Sequence, residues 1–290
     1  MNSEEVKQRA IEVGFDACGI ATAEPFTDDF ARWEEWLCKG YNATMRYMEQ
    51  RVNPTDILEN ARSVIVCLLN YYPKVTQKEG EPKIARYAYS RDYHYVMWER
   101  LRLLAEKTGL KEYAMACDTM PVFDRALAVR AGLGWIGRNN MLVNPKFGSY
   151  TFIGELLTTL PLIPDSPTEN HCGRCRRCLD ACPTGALTER CLDANRCLSF
   201  RTIEDKKPLT TEEAKHNWVF GCDTCQMACP WNKRFAHPHD HKEFAPTSLE
   251  IDITTLSNSA LRKAQSPFCR SNITKLKENH KLCISNRQSS

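Results

Sequence analysis

The sequence lacks any stretch that could cross a membrane or direct export. No apolar run in the 290 residues approaches the roughly 18 to 20 residues needed to span a bilayer. The first ten residues carry Glu4, Glu5, Lys7 and Arg9 and contain no apolar core, so they do not resemble a signal peptide. We therefore expect a soluble protein without membrane association, located in the cytoplasm, where cysteines stay reduced.

A strong excess of one charge is also missing, since 39 basic residues face 36 acidic ones. A G-x-G-x-x-G string occurs at residues 132–137, but it follows a predicted helix and not a strand, so it lacks the context of the dinucleotide-binding fingerprint, and no P-loop is present. Only the last thirty residues depart from the balance, because they contain seven basic residues against Glu278 alone: Arg262, Lys263, Arg270, Lys275, Lys277, Lys281 and Arg287. This basic segment is either a solvated tail or a contact for a phosphate backbone.

Cysteine, in contrast, is abundant and regularly spaced. Residues 172–183 read C-x2-C-x2-C-x3-C-P, residues 222–230 read C-x2-C-x3-C-P, and two further cysteines, Cys191 and Cys197, lie between the two runs. In the bacterial ferredoxin pattern, three closely spaced thiolates hold one cluster and the fourth reaches the other. We therefore predict two [4Fe–4S] clusters, one on Cys172, Cys175, Cys178 and Cys229, the other on Cys182, Cys197, Cys222 and Cys225.

Other interpretations of the histidines and cysteines are less favourable. Paired zinc sites also use C-x2-C, but they do not require a third cysteine or the Cys-Pro steps. Cys191 lies close to the pattern, yet eight ligands are complete without it. His237, His239 and His241 alternate along the chain and form either a metal site or a solvated loop; we favour the loop.

The region before the cysteines alternates helical and strand patterns, which predicts a layered α/β core. Leu160–Asn170 contains three prolines and is interpreted as a linker. We expect three parts: a core at 1–165, a ferredoxin-like module at 166–236, and a polar and then basic segment at 237–290. The predicted helices are Ser3–Val13, Asp28–Lys39, Tyr93–Lys107 and Asp124–Ala131, and the predicted strands are Asp16–Ala21, Ser63–Asn70, Glu112–Cys117 and Ser149–Leu157.

Several motifs together resemble the epoxyqueuosine reductase family, in order and over essentially the whole chain. They are RYAYSRDYHYV (86–96), D-T-x-P (118–121), DRALAVRAGLGWIGRNN (124–140), GSYTFIGELL (148–157), CGRCRRCLDACPTGAL (172–187), RCLSFRTIE (196–204) and GCDTCQMACPWN (221–232). Two features differ from the family. Met120 stands where the family usually has glycine, and the helical-repeat domain of many members does not follow the cysteine module, so we expect tRNA binding to be weaker or differently built.

The resemblance implies a nitroreductase-like cobalamin-binding core with an appended ferredoxin-like module. The implied activity reduces the epoxide of epoxyqueuosine at the wobble position of tRNAs with a GUN anticodon to queuosine, using cob(I)alamin and two [4Fe–4S] clusters. A reduced electron donor such as flavodoxin or ferredoxin is implied, and we expect a monomer. The alternatives are a cobalamin-dependent reductase of a small molecule, as in reductive dehalogenases, or a corrinoid-reducing electron-transfer protein.

The resemblance also suggests site residues. Asp118 aligns with the family's proton donor, and we expect it in a closed apolar pocket, where a carboxyl group resists ionisation. Asp124 is the competing candidate, although helix capping would explain it. We interpret His94 as a pocket or substrate residue and not as a cobalt ligand, and Arg125 as able to reach the substrate or tRNA. The implied cobalamin contacts are Arg51, Ala85, Arg86, His94, Asp118, Leu142, Ile153, Asp223 and Thr224.

Overall fold

The computed structural model describes residues 1–189, 191–250 and 252–288, without the side chains of Glu250, Arg287 and Gln288. The strands are β1 Ala17–Thr22, β2 Ser63–Asn70, β3 Lys83–Ile84, β4 Tyr113–Ala116, β5 Trp135–Ile136, β6 Leu142–Val143, β7 Thr151–Thr158 and β8 Trp218–Phe220. The α-helices are α1 Ser3–Glu12, α2 Thr27–Cys38, α3 Pro54–Ile57, α4 Tyr93–Thr108, α5 Asp124–Arg130, α6 Arg177–Asp180, α7 Leu198–Ile203, α8 Thr211–Ala214, α9 Thr224–Met227, α10 Pro230–Phe235, α11 Asn258–Lys263 and α12 Ile273–Gln288. Within these ranges, no helix is long and apolar enough to cross a membrane.

An antiparallel sheet in the order β1–β2–β7–β4 forms the centre of the first half. Its strand β2 is buried along its whole length, because helices cover both faces of the sheet. Ile65, Cys67 and Leu69 pack with residues of α1 and α4, whereas the alternate residues pack with α5. The predicted α/β core is therefore confirmed, and the predicted strand Ser63–Asn70 has the observed bounds.

The cysteine module contains short helices and is joined to the core by a strand pair. β3 from the core runs parallel to β8, which lies just before the second cysteine run. The pairing continues where the Ala85 amide donates to the Phe220 carbonyl at 2.8 Å. A third apolar cluster contains residues from both parts, among them Ile84, Tyr89 and Val219. Contacts therefore cross the predicted boundary at 165, and the three-part division stays a prediction.

The C-terminal segment packs against the cysteine module, so the interpretation as a solvated tail is wrong. Leu276 and Cys283 of α12 are buried in the third apolar cluster. The buried Asn279 accepts a hydrogen bond from the Leu209 amide at 2.8 Å. Lys275 is buried and donates to the Asp205 carbonyl, and burial lowers the pKa of its ammonium group to about 8. The side chain of Arg287 lies outside the described residues.

The favoured interpretation of the three histidines as a solvated loop is also wrong for His241. Its Nε2 lies 2.7 Å from Asp16 Oδ2, and its ring lies close to the guanidinium of Arg100. Arg100 in turn donates to Glu243 at 3.0 Å. These contacts fasten the segment after the module to the start of β1.

Candidate functional site

The first group of cysteines surrounds one cavity. Cys172, Cys175, Cys178 and Cys229 line a space of about 230 Å³ together with Trp231. Burial raises the pKa of the Cys178 thiol, and the nearby thiols of Cys229 and Cys172 add to this. Burial likewise raises the pKa of Cys229, which lies near Cys172 and Cys175. Four thiols around one cavity, one of them from the second run, are a donor set that fits a [4Fe–4S] cluster.

The second group consists of the other four predicted ligands. Burial raises the pKa of Cys225, and its thiol neighbours are Cys222, Cys197 and Cys182. Burial also raises the pKa of Cys222 to about 11, with Cys197 adding to the shift. These thiols lose their protons when they bind iron, so cluster assembly releases protons. The grouping supports the predicted crossing pattern, and the ligand assignment itself stays a prediction.

The loop of the second cluster contacts the core through an ion pair. Asp223 Oδ2 accepts hydrogen bonds from the Arg86 amide at 2.8 Å and from Arg86 Nη1 at 3.3 Å. Burial raises the pKa of Asp223, and these contacts oppose the shift. Next to it, Thr224 Oγ1 accepts from the indole of Trp218 at 3.1 Å. The structure thus brings together four of the predicted cobalamin contacts: Ala85, Arg86, Asp223 and Thr224.

An aromatic column, which the sequence analysis missed, extends from Arg86 towards His94. The Arg86 guanidinium lies 5.4 Å from the Tyr150 ring centroid, and Tyr150 packs edge-on against Tyr71. The column continues by stacking, with centroid distances of 4.3 Å for Tyr71–Phe152, 4.0 Å for Phe152–Tyr93 and 4.2 Å for Tyr93–His94. A signal was available in the sequence, because Tyr71 and Tyr72 follow β2 and Tyr150 precedes β7, and antiparallel pairing of these two strands places these tyrosines side by side.

Asp118 does not occupy the closed apolar pocket that we expected. Its side chain is 54% exposed, because it lies in the turn after β4 with a φ of 53°. Asparagine and aspartate tolerate this left-handed conformation better than most residues. Asp118 Oδ2 lies 3.8 Å from His94 Nε2 and 3.4 Å from Arg270 Nη1. The expected burial is therefore wrong, and the proposed acid instead belongs to a polar cluster.

Asp124 is the more buried of the two candidate carboxyl groups. One of its oxygens accepts a hydrogen bond from the Asp118 amide at 3.3 Å. Phe123 occupies the N-cap of α5 without a side-chain cap bond, so Asp124 is not explained by capping there. Burial, with the charge of Asp118 adding to it, raises the pKa of Asp124 to about 6.

Two arginines lie on the same side of the core as these carboxyl groups. Burial lowers the pKa of Arg51, and the charges of Asp124 and Asp118 oppose the shift. Arg125 Nη1 donates to the Asn140 carbonyl, so part of its guanidinium is engaged within the chain. Arg51 is thus close to the acidic pair, as a site residue should be.

Leu142 and Ile153 contribute to the second apolar cluster, beside α5. Thr151, Ile153 and Glu155 alternate along β7 and therefore share a face of the sheet. Among the described residues, Thr151 Oγ1, Arg86 Nε and His94 Nε2 are buried without a hydrogen-bond partner. Unpaired buried polar atoms next to apolar and aromatic surface fit a large ring carrying peripheral amides, and cobalamin is such a group.

Glu155, whose two carboxyl oxygens also lack a partner among the described residues, was not identified from the sequence.

Comparison with known proteins supports both halves of this site. Residues 51–120 match the family described as Epoxyqueuosine reductase QueG, DUF1730, and residues 171–232 match the 4Fe-4S double cluster binding domain. The epoxyqueuosine reductase of Leadbetterella byssophila is 43% identical over 254 residues, which cover 84% of each chain. That of a Synechocystis strain is 40% identical and covers 89% of this chain and 95% of the relative.

Solved structures give the same result. An epoxyqueuosine reductase crystallised with an epoxyqueuosine-modified tRNA-Tyr stem loop has a TM-score of 0.86 at 32% identity, covering 98% of this chain and 80% of the other. A Bacillus subtilis epoxyqueuosine reductase, described with its catalytic aspartate loop swung out of the active site, has a TM-score of 0.85 at 31% identity and covers 99% and 82%. A catabolic reductive dehalogenase reaches 0.53 at 19% identity, which shows a shared fold alone. On the strength of these relatives and of the two cysteine groups beside the core, the chain belongs to the epoxyqueuosine reductase family.

Proposed function

We propose that this chain reduces the epoxide of epoxyqueuosine to queuosine at the wobble position of tRNAs with a GUN anticodon. As a member of the family, the chain is an oxidoreductase that uses two [4Fe–4S] clusters and cobalamin. The tRNA substrate is supported by the relative whose structure contains an epoxyqueuosine-modified stem loop. The observation that carries the proposal is the meeting of Asp118, Asp124 and His94 at the end of the aromatic column.

The residues that would hold cobalamin lie towards the two ends of the aromatic column. We assign Ala85, Arg86, Asp223 and Thr224 to the side of the second cluster, and Arg51, His94, Asp118, Leu142 and Ile153 to the side of the acidic pair. When bound, cobalamin supplies a strongly reducing cobalt centre beside the substrate. The Asp223–Arg86 pair keeps the loop of the second cluster against this site, so this cluster is the inner one.

The proton chemistry falls to residues of the chain. Converting an epoxide to an alkene consumes two electrons and two protons, and the oxygen leaves as water. We propose Asp118 as the group that protonates this oxygen, with Asp124 held behind it by the hydrogen bond from the Asp118 amide. Because Asp118 is exposed here, we propose that its turn closes when the tRNA binds.

Electrons would enter at the first cluster from a reduced flavodoxin or ferredoxin. Arg174 and Arg177 are exposed on either side of Cys175, and they give this face positive charge. An acidic electron carrier would be attracted to such a face. We propose a monomeric enzyme of the cytoplasm with a core at 1–165, a two-cluster module at 166–236 and a C-terminal segment at 237–290.

The test is a defined reaction without oxygen. Protein containing iron, sulfide and cobalamin is mixed with an epoxyqueuosine-containing anticodon stem loop and a chemical reductant, and the nucleosides are measured by mass spectrometry. We expect epoxyqueuosine to lose one oxygen atom and become queuosine, and cells without the gene to accumulate epoxyqueuosine. Unchanged nucleoside, or full activity in cobalamin-free protein, would contradict the proposal.

A further inference from the structure

We propose that His94, oriented by Asp92, returns a proton to Asp118 within each turnover. This inference rests on the proposed function and adds a positioning residue and a proton-transfer residue to it. Breaking the two C–O bonds of an epoxide releases its oxygen as water, with two electrons from the cofactors and one proton at each bond. A single carboxyl group carries one proton, so Asp118 needs to be protonated again before the second bond breaks.

Asp92 and His94 form a fixed pair at the start of α4. Asp92 is the N-cap of this helix and accepts a hydrogen bond from the His94 amide at 3.1 Å. The same oxygen, Asp92 Oδ1, lies 2.6 Å from His94 Nδ1. The imidazole also stacks on the ring of Tyr93. With Nδ1–H donated to a carboxylate, the other ring nitrogen is free to exchange a proton, as in other Asp–His pairs.

The free nitrogen faces the proposed acid. His94 Nε2 is buried and has no hydrogen-bond partner in the part of the chain that the structure describes. Asp118 Oδ2 lies 3.8 Å away, about 1 Å beyond hydrogen-bond distance. Distances of this kind commonly shorten when a substrate closes a site. A small movement of the Asp118 turn would therefore complete a chain from Asp92 through His94 to Asp118.

The charged and titratable groups around His94 come from three elements of the structure. Asp92 belongs to the start of α4, Asp118 to the turn after β4 and Arg270 to the C-terminal segment. The Tyr93 hydroxyl and the Cys117 thiol are neutral, because burial raises the pKa of each. Burial acts to raise the pKa of Asp92, but hydrogen bonds from His94 and the charge of Arg270 lower it below its usual range. Asp92 is therefore a carboxylate that accepts the hydrogen bond of His94 Nδ1 and orients the ring.

The different exposure of these side chains explains why a proton route through His94 is useful. The Asp118 side chain is 54% exposed, whereas those of Asp92 and His94 are 23% and 15% exposed. An RNA bound over Asp118 would separate this carboxyl group from bulk water. Protons then reach Asp118 through the Asp92–His94 pair, from the side of the protein, and do not have to cross the bound RNA.

The test measures single-turnover reduction of the modified stem loop from pH 5.5 to 8.5 with fully loaded, reduced enzyme. We expect His94→Gln to slow the reaction by about 10²-fold, the usual scale for general acid–base groups, and added imidazole to restore part of the rate. Asp92→Asn retains the helix cap and should alter the pH profile with a smaller loss. His237→Gln is the control, because this histidine is exposed and outside the site.

Two further measurements separate this role from a structural one. Iron content should be unchanged in His94→Gln, and Asp118→Asn/His94→Gln should be no slower than Asp118→Asn alone, because the two groups act in series. A wild-type pH profile in His94→Gln, additive losses in the double variant, or a lowered iron content would each overturn the inference. An inactive wild-type enzyme would instead contradict the proposed function.

Discussion

Arg270 Nη1 lies 3.4 Å from Asp118 Oδ2, although the two residues are 152 positions apart in the chain. The same guanidinium donates to Glu204 Oε1 at 2.8 Å. The Arg270 side chain is 38% exposed, so the ion pair adds only about 0–1 kcal/mol to stability. Its effect is mainly positional, because it brings the C-terminal segment to the turn that carries the proposed acid.

Removal of the C-terminal segment should unfold the module and not merely weaken RNA binding. Truncation after Ala260 deletes Phe268, Leu276 and Asn279, which are buried. Leu276→Ala alone should lower the free energy of unfolding by about 2–5 kcal/mol in anaerobic urea titrations. Lys281→Ala, at an exposed position of the same helix, should change it by less than about 0.5 kcal/mol. Equal effects of the two substitutions would contradict the packing described here.

Iron content tests the two cysteine groups. Anaerobically reconstituted protein should contain about eight irons and eight sulfides per chain, as two four-iron clusters require. Cys182→Ser and Cys229→Ser should each lose about half of the iron, since they belong to different groups. Cys191→Ser is the control and should retain all of it. Stable zinc without iron would show that the cluster assignment is wrong.

The two carboxyl groups can be separated by substitution. Asp118→Asn keeps the shape of the side chain but removes its proton, so it should slow single-turnover reduction by about 10²-fold or more while cluster content and the cobalamin spectrum persist. Asp124→Asn should reduce the rate less, because the amide can still accept the bond from the Asp118 backbone. A normal rate in Asp118→Asn with an inactive Asp124→Asn would assign the acid to Asp124.

Asp124 should also make stability depend on pH. Its pKa of about 6 in the folded chain lies above the ordinary 3.8, so folding retains a proton that the unfolded chain releases between these values. The associated stability is complete below about pH 4 and is lost as the pH rises through about 6. Between pH 5 and pH 7.5 the wild type should lose about 1 kcal/mol relative to Asp124→Asn in urea titrations. Asp28→Asn, at an exposed position, should behave like the wild type.

The buried carboxyl group of Glu155 should lower the free energy of unfolding. It is fully buried on β7, both carboxyl oxygens lack a partner among the described residues, and burial raises its pKa well above the usual range. Glu155→Leu should therefore raise the free energy of unfolding of cofactor-free protein by about 1–3 kcal/mol, and Glu155→Gln should change it little. A destabilised Glu155→Leu protein would show that the carboxyl group has a bonding partner.

Local patterns were sufficient to predict the elements of the core. The uninterrupted apolar run of β2 and the helical spacing of apolar residues in α4 are patterns of residues close together in the chain. Both elements have bounds at or close to those predicted. The spacing within each cysteine run limits which thiols can share a cluster, and the cavity lined by Cys172, Cys175, Cys178 and Cys229 agrees with the predicted first group.

The surroundings of Asp118 could not be predicted in the same way. Its exposure depends on the turn after β4, and its neighbour Arg270 arrives from a segment whose packing leaves no periodic signal near residue 118. The aromatic column likewise combines residues from α4, β7 and the end of β2, which only the completed sheet brings together. The burial of Lys275 could not be predicted either, because a basic residue is normally expected at the surface and only the packing of the complete chain buries this one.

The pairing of β3 with β8 has a consequence for the kinetics of electron flow. Since the loop of the proposed inner cluster and the proposed cobalamin contacts Ala85 and Arg86 belong to one hydrogen-bonded unit, electrons would pass from this cluster to cobalamin without any encounter between molecules. The internal transfer is therefore unimolecular. Its rate should be independent of enzyme concentration, and only the step in which the proposed external carrier meets the first cluster should depend on concentration and on salt.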